Sequence, residues 1–440
     1  MALHSLLLPR TRPVPAAYQH NFHHLYLDIA WYGVLSGSAI SFMVIFATRL
    51  GASGLQIGLL NAMPAIVSVL LTLPAGRMLP RWPISRAVFW TSAFHRVFYI
   101  FWIFLPLFLP PAAQVWALVL LVLLMTIPGT FLAVGFNAMF AAAVPDTWRG
   151  HVVGTRNALL AAAFITTSLL CGLILDRLPF PLGYQVVFGL GAFGGIMSSY
   201  HLWFVRPAEE FGQNGGGQAK AIGDLARPGV VRAGGLGTRT MVGLRYLVRR
   251  SLSLRIPAGA IRREPFARVV IILFIFHTTQ YLAIPLFPIY WVNRLHLTDA
   301  NISLGQALFY AAVLFGSTQL ARLTNRLGNQ KLLAAGILLM STYPLLTALT
   351  RGLPLYLITS IVGGLAWSQV GGAISNYILE RVPDENRPPY LAWYNLALNA
   401  AILIGSLAGP LLAEQIGIIT TLLLATAGRL VAALLVWHRG

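Results

Sequence analysis

The chain has 440 residues, of which 57% are hydrophobic and 10% charged, and its mean hydropathy is +0.72. Ordinary soluble domains carry about 25% charged residues, so too little charge is present to clothe a soluble globule. The net charge of +19 would point to nucleic acid in a soluble chain, but the placement of the cations argues otherwise.

The first residues, MALHSLLLPRTRPVP, hold a short apolar patch broken by Arg10, Arg12 and prolines. That patch is too short for a secretory signal core, so insertion is expected to begin with the first membrane helix. About 20 apolar residues cross a bilayer, and twelve stretches qualify: 26–48, 55–76, 88–109, 114–138, 153–175, 183–205, 267–291, 303–323, 331–349, 353–378, 391–413 and 417–437. The expected fold class is an all-α polytopic membrane protein of twelve transmembrane helices in two six-helix bundles. Most stretches contain Gly or Pro, which membrane helices tolerate. Cys171, the single cysteine, lies in one of them and excludes an internal disulfide framework.

Lys and Arg sort by side. The side of the termini holds 25 of them and the opposite side four, Arg49, Arg177, Arg294 and Arg351; without the long central loop the split is 13 to 4. Such a bias orients both termini to the cytoplasm, in the plasma (inner) membrane. The +19 is thus an orientation signal, and no nucleic-acid partner is expected.

The division expected is a cytoplasmic tail over 1–25, a bundle over 26–205, a basic linker over 206–266 and a second bundle over 267–440. Within the linker, Met241, Leu244, Val248 and Leu252 share a helical face flanked by arginines. That pattern fits a basic helix on an anionic leaflet, or equally one packed on the bundle ends.

The halves repeat. An offset of 245 takes Arg49-Leu50 to Arg294-Leu295, Arg77 to Arg322, Arg81 to Arg326 and Arg86 to Lys331. An offset of 238 takes Val144-Pro145-Asp146 to Val382-Pro383-Asp384, Asn157 to Asn395, Ser168-Leu169 to Ser406-Leu407 and Asp176 to Glu414. Parallel six-helix repeats mark transporters that rock two halves about a midplane site.

On these residues the chain resembles the major facilitator superfamily over nearly its whole length. That family carries a Gly-x-Leu-x-Asp-Arg-x-Gly-Arg-Lys type motif after the second span of each half. Ala321-Arg-Leu-Thr-Asn325-Arg326-Leu-Gly328-Asn-Gln-Lys331 is a fair copy with Asn325 for Asp. Gly76-Arg-Met-Leu-Pro80-Arg81-Trp-Pro83 keeps the first Gly and the Arg. Loss of the Asp from both copies removes one partner of the gating ion pair that the resemblance implies, not the fold. The fourth-span arginine of proton-coupled members and the fifth-span Gly-Pro antiporter motif are absent. Gly405-x-x-x-Gly409-Pro410 reads as close helix packing.

Ionisable groups in a span cost about 2.5–3.5 kcal/mol at the helix centre, so each asks for a reason. Asp28 is the one acid well inside a span, with Tyr32 and Ser36 continuing its face. It is either a proton or substrate carboxylate or an interfacial cap at a helix N-terminus. His277, Gln280 and Tyr281 fall at i, i+3 and i+4 near the middle of the seventh span. Gln369 and Asn376 share a face of the tenth, with Trp367 on another. The resemblance implies that spans one, four, seven and ten line the cavity, making Asp28, Tyr32, His277, Gln280, Tyr281, Trp367, Gln369 and Asn376 the candidate substrate contacts. Gly76, Arg81, Asn325, Arg326 and Gly328, with the stripes of Asn157, Asn395 and Asn399, are candidates for gating and inter-half contact. The resemblance implies that Arg96 in span three and Arg429 in span twelve lie on peripheral helices; Arg96 either snorkels or binds a carbonyl or carboxylate of a neighbouring helix.

Enzymatic alternatives are poorly supported. His23-x-x-x-x-Asp28 has an acyltransferase-like spacing, but four histidines crowd residues 1–24. Neither a His-Glu-x-x-His run nor a nucleophile elbow nor a phosphate loop occurs. No catalytic residue, metal ligand or cofactor is expected. The expected function is secondary transport of a small solute or amphiphile by alternating access, passive or coupled to H+ or Na+, by a monomer in the lipid bilayer. A lipid or amphiphile flippase on the same scaffold is the alternative.

Overall fold

A computed structural model describes residues 16–206, 266–382 and 387–440. The expected amphipathic linker helix and the repeated Pro383-Asp384 lie outside these residues. Among them, the first half contains α1 (Ala16–Leu35, a π-helical turn at Ser36–Ile40, then Ser41–Arg49), α2 (Gly54–Met78), α3 (Ile84–Phe108), α4 (Pro111–Ala143), α5 (Asp146–Arg177) and α6 (Leu182–Trp203). The second contains α7 (Phe266–Ala283, Leu286–Ile289 and a π-helical turn at Tyr290–Arg294), α8 and α9 within Asp299–Leu349, α10 (Leu353–Leu379), α11 (Arg387–Ile416) and α12 (Ile418–Arg439).

Ten of these helical stretches are long and apolar enough to cross a membrane. One of them, the 51-residue Asp299–Leu349, is two spans joined at Gly328, whose φ of 76° and ψ of 164° break the helix. The twelfth is α6, 22 residues long and diluted by polar groups such as Gln185, Ser198, Ser199 and His201. The twelve-helix layout therefore stands. The first helix differs from expectation: it starts at Ala16, ten residues before position 26, because Phe22 and Leu25 pack against α4 and α6.

Two consequences of a lipid solvent are visible. Buried hydroxyls bond back to their own helix, as Thr48 to Val44 O and Thr359 to Leu355 O, because no water is available to them. Large side chains such as Phe94, Phe108, Trp116 and Trp437 stand exposed, forming a surface suited to acyl chains.

The halves meet through α2 against α11 and α5 against α8. Both carry an irregularity at the same place in the repeat. The 245 offset sets the π-turn Ser36–Ile40 of α1 opposite Tyr281–Pro285, where α7 is interrupted before Leu286. The small-residue packing is also repeated, with roles exchanged. Gly33 and Gly37 let α1 lie on Leu160, Phe164 and Ser168 of α5, whereas Gly405 and Gly409 let α11 lie on Thr278 and Leu282 of α7. Thr278 and Leu282 are the repeat equivalents of Gly33 and Gly37.

The core is unevenly distributed. At the end carrying Arg49, one apolar cluster runs from Phe46, Tyr184 and Phe188 into Val292, Leu297, Ile302 and Tyr356 of the other half. At the end carrying Ala16, the clusters around Phe22 and Met139, around Ala75 and Val134, and around Phe266 and Tyr390 each belong to one half.

Candidate functional site

Asp28 of α1 is 3% exposed and both of its oxygens are taken. Arg156 Nη2 of α5 donates to Oδ2 at 3.1 Å, Ser198 Oγ of α6 donates to Oδ1 at 2.5 Å, and Arg96 Nη2 of α3 stands 3.9 Å from Oδ1. Each arginine is anchored further. Arg156 donates to Leu25 O and lies over Phe136, 5.0 Å from the ring centroid. Arg96 donates to Ser199 Oγ at 2.9 Å and to Gly195 O at 3.3 Å, and it lies 5.9 Å from the ring of Tyr32, which is half-buried. Asp28 and Tyr32 thus join one polar network inside the first bundle, tying α1 to α3, α5 and α6. Its formal charge is +1, from two guanidiniums and one carboxylate.

The second half places a weaker polar set at the α7–α11 crossing. His277 Nε2 is 3.0 Å from Tyr394 Oη, and the Gln280 side chain, about one turn further along α7, interacts with the His277 ring. Gln280 O accepts from Arg429 of α12 at 3.3 Å, and Arg429 also donates to Met340 O of α9 at 2.8 Å. Tyr281 is half-buried, its backbone against Gly405. On α10, Trp367 packs on the second half's own cluster, and Gln369 lies beside Gly336 of α9. Asn376 is apart from these, donating to Asn329 Oδ1 at 3.4 Å next to the α8–α9 turn.

Of the gating candidates, Gly76 is buried and Arg81 exposed at the end of α2, and Asn325, Arg326 and Gly328 are exposed at the α8–α9 turn. The bonds that fasten this turn come from the next two residues. Asn329 donates to Glu380 Oε1 at 2.5 Å, and Gln330 Oε1 accepts from Arg381 at 2.8 Å. Asn157 and Asn395 are half-buried at equivalent points of α5 and α11, and Asn399 donates to Asn395 O at 2.8 Å.

Several polar groups here went unread in the sequence. Arg156 counts there as a loop cation, although it falls just inside the expected fifth span. The signal that could have found it is Asp28 itself, since a carboxylate in a membrane interior needs a cation and the half offers few. Arg96 binds a neighbouring helix rather than snorkelling, and Arg429, for which no partner was expected, does the same; both lie inside the bundles, at 4% and 1% exposure. Asn329 and Gln330 carry no signal beyond lying in the motif.

Comparison with known proteins bears on this arrangement. The Major Facilitator Superfamily pattern matches residues 29–267 and 269–439. Multidrug resistance protein 2 of Bacillus subtilis (strain 168) is 25% identical over 152 residues, 34% of this chain and 38% of that protein. The quinolone resistance protein NorA of Staphylococcus aureus is 22% identical over 133 residues, 30% of this chain and 34% of its own. The chain thus spans little more than a third of the curated relatives it matches. Its fold resembles that of the nucleoside transporter NupG, with a TM-score of 0.63 at 13% identity over 97% of this chain and 99% of that one. It likewise resembles the xylose transporter XylE from E. coli in a partially occluded inward open conformation, with a TM-score of 0.66 at 13% identity over 96% and 98%. A fold of twelve apolar helices in two repeated halves and a family match along almost the entire length agree, and the chain belongs to the Major Facilitator Superfamily, as a multi-pass membrane protein.

Proposed function

We propose that the solute path runs between the two halves and that this conformation is the inward-facing one, closed at the Arg49 end. The observation that carries this reading is the apolar core, continuous across the halves at that end and divided between them at the other. Alternating access requires such a one-sided closure. In this reading the Ala16 end and both termini face the cytoplasm, as the Lys and Arg balance supports, and the membrane is the plasma (inner) one. The first bundle runs from Ala16, not from near 26, to about 205 and the second from about 267 to 440, and the carrier works as a monomer.

In this reading His277, Gln280 and Tyr281 of α7 contact the solute with Trp367 and Gln369 of α10. The uncharged polar character of Gln280, Tyr281, Trp367 and Gln369 favours a small, modestly polar solute over a highly charged one. Nucleosides, pentoses and quinolone drugs, taken from the names of the neighbours and relatives, make the first screening panel. Transport is passive or coupled to H+ or Na+. Asp28 ties α1 to α5, and α5 packs on α8 of the other half, so the first bundle moves against the second as one body. Gly76, Arg81, Asn325, Arg326, Gly328, Asn157, Asn395 and Asn399 serve the movement of the halves. No residue is assigned a catalytic role.

The test uses Cys171→Ala, which removes a buried thiol, with a single new thiol from Tyr281→Cys. A membrane-impermeant thiol reagent is expected to reach it from the cytoplasmic side at rest and from the other side only during turnover. Access from neither or only one side under all conditions would sink the reading.

A further inference from the structure

The carboxylates at the two ends of the bundle behave differently. At the Arg49 end there are three among the described residues, and each contacts the opposite half. Asp299, the first residue of α8, accepts from Nε of Arg49, the last residue of α1, at 2.9 Å, and Arg49 also donates to Leu297 O at 2.9 Å. Asp176, near the end of α5, accepts from the N–H of Ala300 on α8 at 3.2 Å. Glu414, near the end of α11, sets Oε1 3.1 Å from where a Cβ would stand on Gly54, the first residue of α2. At the Ala16 end the described carboxylates Asp146 and Glu380 bond within their own half, to Arg149 and to Asn329 and Arg381.

The repeat accounts for the arrangement. Asp176 and Glu414 are equivalents at the 238 offset, and the α2 and α8 starts, Gly54 and Asp299, are equivalents at 245. Each half therefore presents a carboxylate from α5 or α11 to the positive end of the other half's second helix, where a negative charge is favoured. The ion pair of Arg49 and Asp299 breaks the symmetry, since α2 carries glycine in place of the aspartate. Beneath these contacts glycine carries the close approach: Gly172 lies on Ala300 and Ser303, and Gly58 on Ser406 O and Pro410.

We infer that Arg49, Asp299, Asp176 and Glu414 are the outer gate of this transporter, holding the inward-facing state and separating each time the other side opens. Water can replace such contacts: the Arg49 side chain is 26% exposed, and Asp176 and Glu414 are exposed. The rim lies over the apolar cluster that joins the halves at this end, so both must part when the other side opens. The inference rests on the alternating-access reading.

The test places Ser303→Cys in the Cys171→Ala background. Ser303 is 1% exposed, directly beneath the gate. Its labelling by an impermeant thiol reagent from the extracytoplasmic side is the readout. Asp299→Asn and Arg49→Gln are each expected to raise the labelling rate at least tenfold, and the charge swap of Arg49→Asp with Asp299→Arg to bring it back towards the starting rate. Asp146→Asn, at the other end, is expected to leave it unchanged. If the gate variants label like the parent, or the swap labels as fast as the single variants, the gate assignment is overturned. Failure of the underlying reading looks different: labelling of the parent would then not respond to solute turnover at all.

Discussion

Arg156 and Tyr394 occupy the same position in the two halves, related by the 238 offset, and each makes the polar contact from its helix to the first helix of its half. Arg156 meets a carboxylate, Asp28, whereas Tyr394 meets an imidazole, His277. The repeat has kept the crossing and changed its chemistry. Leu273 stands where the second half would need an acid, and His277 stands at the equivalent of Tyr32. One crossing is therefore held by charge and the other by a neutral hydrogen bond.

The two crossings should differ in energy. Breaking a buried ion pair by removing one partner costs about 3–5 kcal/mol, and both side chains here are 4% exposed. Interhelical hydrogen bonds in membranes average about 0.6 kcal/mol. Arg156→Gln should destabilise the protein several-fold more than Tyr394→Phe, as measured by thermal unfolding in one detergent. Combining Arg156→Gln with Asp28→Asn should cost less than the sum of the single changes, because the stranded carboxylate is removed with its partner. Additive costs would show that Arg96 alone compensates Asp28.

Gly328 has φ 76° and ψ 164°, a region essentially reserved for glycine. Nothing lies within 4 Å of a Cβ placed there, so a substitution would meet strain without a clash. Gly328→Ala should cost about 1–3 kcal/mol without disturbing neighbouring packing. The same thermal measurement checks this, and an unchanged midpoint would mean that the α8–α9 turn relaxes freely.

Hydropathy placed all twelve spans because a membrane span is apolar on every side and its length is set by the bilayer. The same property hides the sites. With little contrast between faces, the rotation of each helix is set by tertiary contacts such as Gly37 on Phe164 and Gly409 on Leu282. Partners such as Ser198 for Asp28, or Met340 O for Arg429, therefore could not be read from spacing. The α8–α9 junction was legible as two spans because the polar motif interrupts the apolar run. Its fastening by Asn329 and Gln330 was not, since those bonds reach α10, about fifty residues away.

Gly58 is where α2 can approach α11. A Cβ there would stand 2.5 Å from Ser406 O and 3.4 Å from Pro410 Cγ. Overpacking of this kind costs about 1–3 kcal/mol, so Gly58→Ala should lower the unfolding midpoint and Gly58→Val should lower it further. Gly154, with open space around its Cβ position, is the control. Gly154→Ala should be neutral or stabilising by up to about 1 kcal/mol through helix propensity. Equal effects at the two glycines would mean that α2 and α11 yield to a methyl group.

The latch between the α8–α9 turn and α10 should be carried by its buried member. Glu380 has a side chain 50% exposed and Arg381 one 15% exposed. Arg381 bonds Gln330 Oε1 and stacks 3.9 Å from the Tyr377 ring centroid, and a cation–π contact contributes about 0.5–1 kcal/mol when exposed and more when desolvated. Exposed polar contacts contribute about 0–1 kcal/mol. Arg381→Ala should therefore destabilise more than Glu380→Ala. Glu380→Gln, which retains an acceptor for Asn329, should change least. Hydrogen exchange at the turn, read beside the unfolding midpoints, checks that order. If Glu380→Ala opens the turn more than Arg381→Ala does, the exposed Asn329–Glu380 bond is the main fastening of the turn.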